Sequence, residues 1–245
     1  MRVSPFAPAG LSRGGLTIIA AALGRDNRRA LLAALSCLLA LAGHPARAEG
    51  RQDRRPLPPR ELVGRERELE FAVSRSSEPE GIALRARFET AVPAPLEEVL
   101  ATLRDFEGSP AVFSRIEAVL VLSREGDAVV TEQRTVIKAL GLRFRSVATF
   151  RSTLERSCPG EARCGFEAIG SDGSLISTRG SWFLRDESDG EGSLTYISYE
   201  LESCVPPTLP GQEFVMRTFG SGDLARTLRE LERAVLRRIR GAGSG

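Results

Sequence analysis

Histidine is all but missing from this chain: the only one, His44, stands in the N-terminal segment. Without an imidazole further along, Ser–His–Asp and Cys–His catalysis are excluded from the body of the protein. Lysine is as scarce, with Lys138 alone among 34 basic residues. The arginine excess is therefore read as genome base composition and not as phosphate recognition. After Cys37 only Cys158, Cys164 and Cys204 remain, and three cysteines without histidine, at these spacings, do not make a tetrahedral zinc site. No cofactor is expected. A long apolar run is missing too. Ala30–Gly43 is broken by Ser36 and falls short of the roughly 20 residues that span a bilayer.

That run has another use. Arg25, Arg28 and Arg29 precede it and Ala46-Arg47-Ala48 follows, the basic start, apolar middle and small-residue end of a secretory signal. Cleavage is expected after Ala48, which places the mature protein outside the cytoplasm, in the periplasm. The paired arginines leave twin-arginine export open beside the general route. Leu35-Ser36-Cys37 leaves open a lipoprotein site, and an uncleaved anchor is the plain alternative. The 24 residues before Arg25 are long for a signal's leading segment, so a translation start downstream of Met1 also stays open. Residues 1–48 hold six arginines and one aspartate, so their removal leaves 28 basic against 31 acidic residues. A mildly acidic chain lacks the footprint of a nucleic-acid binder.

Residues 49–60 are charged, proline-rich and aperiodic, a tether; one domain is expected over residues 61–240. Within it Ile82, Leu84, Ala86 and Phe88 alternate with Arg85, Arg87 and Glu89, a half-buried strand. Pro93 and Pro95 open a helix with Leu96, Val99, Leu100 and Leu103 as its apolar stripe. Asp105 through Phe113 carries a proline turn and a second short helix. Strands follow at 115–123, 128–138, 142–154, 164–171, 175–185 and 193–202, with Glu125-Gly126-Asp127 as a hairpin signal. Gly220-Ser221-Gly222 reads as a hinge, with Asp223 as N-cap of a closing helix. Leu224, Leu228, Leu231 and Val235 form that helix's apolar face. An α+β fold is the expectation, with a sheet of about seven strands and a long C-terminal helix across it.

The order of these elements, with Val92-Pro-Ala-Pro-Leu-Glu-Glu-Val99, Pro110-Ala-Val-Phe113, Gly180-Ser-Trp182-Phe-Leu184 and Thr195-Tyr-Ile197-Ser-Tyr199-Glu-Leu201, resembles the START-like (SRPBCC) helix-grip superfamily. That superfamily takes in lipid-transfer domains, polyketide cyclase/dehydrase proteins and pollen-allergen-like proteins. Leu100 stands where many members carry an aromatic. The resemblance covers about residues 62–240. It implies a curved antiparallel sheet gripping the C-terminal helix, two short helices after the first strand, and an apolar pocket between sheet and helix. Phe113, Phe144, Phe150, Phe166, Trp182, Ile197 and Tyr199 are then candidates to line the pocket, with Phe214 and Phe219 closing one end.

Three functions remain in view. The first is a binding or carrier protein for a hydrophobic molecule such as a lipid, a sterol-like compound, a quinone or a polyketide, with transient membrane contact left open. The second is an aromatase/cyclase-type enzyme, for which Glu132, Arg134, Tyr196 and Tyr199 are the polar candidates. Glu132 and Arg134 have apolar residues on both sides, so their orientation is undecided. The third is an interaction module with a filled core and no ligand. Export adds one covalent expectation: Cys158 and Cys164, flanking a hairpin loop, form a disulfide.

Overall fold

The computed structural model describes residues 57–77, 79–139, 142–208 and 211–242. The segment read as an export signal and most of the tether lie outside these. A 3-10 turn, Pro59–Leu62, comes first and takes in Pro59 and Arg60, which the sequence assigns to the tether. Then follow β1 (Arg67–Ser77), β2 (Glu80–Val92), α1 (Leu96–Arg104) and α2 (Ser109–Val112). The remaining elements are β3 (Ile116–Glu125), β4 (Ala128–Ala139), β5 (Leu142–Cys158), β6 (Glu161–Ser171), β7 (Ser177–Asp186), β8 (Thr195–Val205) and α3 (Gln212–Ala242). The strands make one antiparallel sheet of eight in the order β1-β2-β8-β7-β6-β5-β4-β3. The two short helices thus follow the second strand, because β1 is an added edge strand paired to β2.

The alternation in β2 explains its place. Ala86 and Phe88 turn inward, while Arg85 and Arg87 stay in water. Past Phe88 the alternation stops and every residue to Val92 is buried, because both faces are covered there. Leu62, from the N-terminal turn, packs with Ala91 and Leu194. Glu89 is tolerated in this buried stretch because Arg67 Nε donates to its Oε2 at 3.1 Å.

The other face meets α3. At about 1.5 Å per residue its 31 residues reach roughly 46 Å, enough to cross the sheet. Leu231 and Val235 pack with Val92, Val99, Leu100, Leu184 and Ile197. Leu224, Ala225 and Leu228 pack with Ala86, Phe88 and Tyr199. Each fully buried leucine or valine is worth roughly 1.5–3 kcal/mol, so this seam fixes the helix on the sheet. Polar ties orient it: Glu98 pairs with Arg238 at 3.2 Å, Arg115 with Asp223, and the Ser114 N–H donates to Glu230 Oε2 at 3.1 Å.

The helix begins eleven residues before Asp223, so Gly220–Gly222 is mid-helix and neither a hinge nor a cap. Tertiary packing outweighs the helix-weakening glycine: a Cβ on Gly220 would stand 2.7 Å from the Phe71 ring of β1. The bare backbone lets that ring close on the helix. Asp223, freed from capping, reaches Arg115 instead.

Candidate functional site

Between α1–α2, the β3–β8 side of the sheet and the middle of α3 lies a cavity of about 280 Å³. One wall is a row of rings set by strand register. Trp182 on β7 faces Tyr199 on β8, with ring centres 4.3 Å apart. Tyr199 stacks on Phe166 at 6.3 Å, and Phe166 meets Phe150 edge-on at 6.5 Å. Phe166 lies against Gly180, its register partner on β7, whose missing side chain makes room for the ring. Phe113 closes the cavity from the end of α2.

Five of the residues expected from the sequence therefore meet: Phe113, Phe150, Phe166, Trp182 and Tyr199. Ile197 is fully buried in the α3 seam, behind the cavity wall. Phe219 is 41% exposed on α3 and Phe214 is 50% exposed, so neither closes the pocket. Their apolar character suggested a lid, but the early helix start turns both away from the sheet. Phe144 is on β5, with its side chain outside the described residues. Sequence reading missed Leu103, Arg115, Gln133, Leu154, Cys164 and Thr227, all of which line the cavity. Leu154 and Cys164 were findable, since they face each other across the β5–β6 register and are the apolar members of their strands beside the charged Glu155 and Arg163.

The undecided strand is settled by the lining. Val129, Gln133 and Thr135 face the cavity, so Glu132 and Arg134 project from the opposite face, where they pair at 3.7 Å in solvent. Tyr196 also faces outward, with Arg185 over its ring at 5.3 Å; burial, reinforced by Glu89, pushes its phenol up to about 12. Inside the cavity, burial pushes the Cys164 thiol up to about 11 and raises Tyr199 well above the usual phenol range. Both groups are thus neutral at physiological pH, and neither is poised for proton transfer near pH 7. Arg104 and Asp127 are exposed at the rim. The Arg115 guanidinium is engaged by Asp223.

The Cys158–Cys164 disulfide is not formed: both thiols are free. The turn is tighter than the loop read from the sequence, so Cys158 pairs with Glu161 and Cys164 with Leu154. Three residues of strand separate Cys164 from Glu161, about 10 Å, beyond the roughly 7 Å Cα limit for a bridge. Cys158 is exposed, while Cys164 lines the cavity. Among the described residues no cluster of His, Cys, Asp and Glu could hold a metal ion, and no helix is long and apolar enough to cross a membrane.

A curved antiparallel sheet closed on a long C-terminal helix, with two short helices between its second and third strands, is the helix-grip arrangement. The sequence bears this out: residues 84–236 match the family described as "Polyketide cyclase / dehydrase and lipid transport", and the chain belongs to that family. The Zhui aromatase/cyclase from Streptomyces sp. R1128 superposes with a TM-score of 0.54 at 16% identity, covering 66% of this chain and 99% of that one. A protein from Thermus thermophilus gives 0.48 at 21% identity, covering 66% and 99%. A STAR-related lipid transfer protein from Xanthomonas axonopodis gives 0.47 at 16%, covering 67% and 98%. At such identities the likeness concerns the fold. No functionally curated protein matches the sequence.

Proposed function

We propose that this protein is an exported binding or carrier protein that holds a hydrophobic small molecule in the ring-walled cavity. The observation that carries the reading is the row Trp182–Tyr199–Phe166–Phe150 lining an open space instead of filling a core. Each 100 Å² of apolar ligand surface withdrawn from water there is worth about 2.5 kcal/mol. At about 280 Å³ the cavity sits just under the roughly 300–1,000 Å³ of sites for small organic molecules. It suits a single ring system or a short chain better than a whole lipid. Binding is favoured over cyclase-type catalysis because Glu132, Arg134 and Tyr196 lie on the far face of the sheet, and the buried Cys164 and Tyr199 are held neutral. Export rests on the arginine-led apolar run and Ala46-Arg47-Ala48, and it would put loading and release at a membrane surface.

The test is to isolate the protein from the envelope of its own host and analyse it by native and denaturing mass spectrometry. The expected result is a chain beginning at Glu49 with an apolar compound retained under native conditions. Empty protein that also binds no apolar probe at micromolar concentration would overturn the carrier reading, and an intact N-terminal segment would overturn export.

A further inference from the structure

We infer that the Tyr199 hydroxyl is the cavity's polar anchor, donating a hydrogen bond to an oxygen of a neutral, ring-bearing ligand such as a ketone, quinone or ester. This rests on the carrier reading above and names the class of molecule carried. Tyr199 is 6% exposed and lines the cavity, yet its hydroxyl has no hydrogen-bond partner among the described residues. Buried phenols ordinarily find one. The neighbouring polar groups do not supply it: no hydrogen bond joins the hydroxyl to Gln133, whose Nε2 donates to Thr131 Oγ1 at 3.3 Å, and Arg115 carries only donors and is held by Asp223. An acceptor delivered by a ligand would satisfy the hydroxyl in place of cavity water.

The same surroundings argue against a charged headgroup at this depth. The Tyr199 ring is flanked by Trp182 and Phe166, which offer a carboxylate at most one indole N–H in place of its hydration. The guanidinium that lines the cavity nearby already has a carboxylate partner. Arg104 stands exposed at the rim, where an ion pair contributes little. The four rings set the shape of the guest, since planar groups stack against such a wall.

Three probes of nearly one shape separate these ideas: 2-acetonaphthone carries the acceptor, 2-ethylnaphthalene replaces it with hydrocarbon, and 2-naphthoate replaces it with an anion. Affinities come from calorimetry. Quenching of Trp182, the chain's single tryptophan, shows that the probe is in the cavity. Tyr199→Phe keeps the ring and removes the donor. It should weaken 2-acetonaphthone about 5- to 10-fold and leave 2-ethylnaphthalene within about two-fold, the loss of one buried hydrogen bond. On the unaltered protein 2-naphthoate should bind at least about 10-fold more weakly than the ketone, the cost of desolvating a charge. Unchanged ethylnaphthalene affinity also shows that the variant is folded. Equal effects of Tyr199→Phe on ketone and hydrocarbon, or none on either, would overturn the anchor while the carrier reading stands. Naphthoate binding as tightly as the ketone would overturn the neutral class. No binding of any probe would overturn the carrier reading and the anchor with it.

Discussion

Gly180 is where the cavity wall and the sheet make opposite demands on one residue. A Cβ built there would lie 2.3 Å from the Glu200 carbonyl oxygen of β8 and 2.5 Å from Cζ of Phe166, about 1 Å inside ordinary contact. The ring could swing aside, but the carbonyl belongs to a strand paired on both sides, to β2 and to β7. Gly180→Ala must therefore part β7 from β8 locally and displace Phe166. Overpacking of this kind costs about 1–3 kcal/mol, and a weakened ladder hydrogen bond adds about 1. Alanine's lower conformational entropy returns roughly 0.5–1. The expected net loss is about 2 kcal/mol, which at a urea m-value of about 2 kcal/mol/M lowers the unfolding midpoint by roughly 1 M. Gly170 on β6 is the control, because a Cβ there would meet nothing closer than Thr149 at 3.8 Å. Gly170→Ala should leave the midpoint unchanged or raise it slightly. Urea unfolding followed by Trp182 fluorescence measures both variants. A Gly180→Ala protein as stable as Gly170→Ala would refute the reasoning and show that the ring row does not depend on that bare position.

Leu228→Ala, at a side chain 1% exposed in the α3 seam, should lower stability by about 2–5 kcal/mol. Phe219→Ala should change it by less than about 0.5 kcal/mol and leave probe affinity unaltered, because its ring stands outside the cavity; equal losses in calorimetric melts would place Phe219 in the core. Thiol titration of unreduced mature protein should find three free thiols, with Cys158 reacting at once. Cys164 and Cys204 should react only on unfolding, Cys164 because burial holds its thiol protonated up to about 11. A single reactive thiol after denaturation would restore the bridge that the strand register denies.

Most of the fold was legible because period-two alternation is written by one-sided burial. β2 alternates between core and water as far as Phe88, and it and β8 were each placed within a few residues. Where that condition failed, the sequence misled. The chain ahead of Ile82 reads as a strand over 62–74, and a strand is there at Arg67–Ser77, but Leu62 itself ends a 3-10 turn and is buried against the sheet, so its apolarity was read correctly and its geometry was not. The start of α3 was misplaced for a related reason. Local propensity treats Gly220-Ser221-Gly222 as an end, and only the Phe71 ring, about 150 residues earlier in the chain, explains why a helix runs through it. No window of sequence contains that contact.

The site was less legible than the fold, and the division falls between rings and polar groups. A phenylalanine or tryptophan announces itself by size, so the aromatics on the sheet could be gathered once a pocket was supposed. Arg115 and Asp223 lie more than a hundred residues apart and form a pair only because α3 crosses the sheet at that point. Gln133 was overlooked between two charged neighbours that face away from it. The Cys158–Cys164 pairing failed on register alone, since a turn closing on Pro159-Gly160 sets each cysteine opposite a different partner. In each case the chemistry depends on which strand position lies opposite which, and that is fixed by turn geometry and helix placement. Ligand class is therefore better sought in a cavity-facing hydroxyl that the finished packing leaves without a partner than in the composition of the strands that carry it.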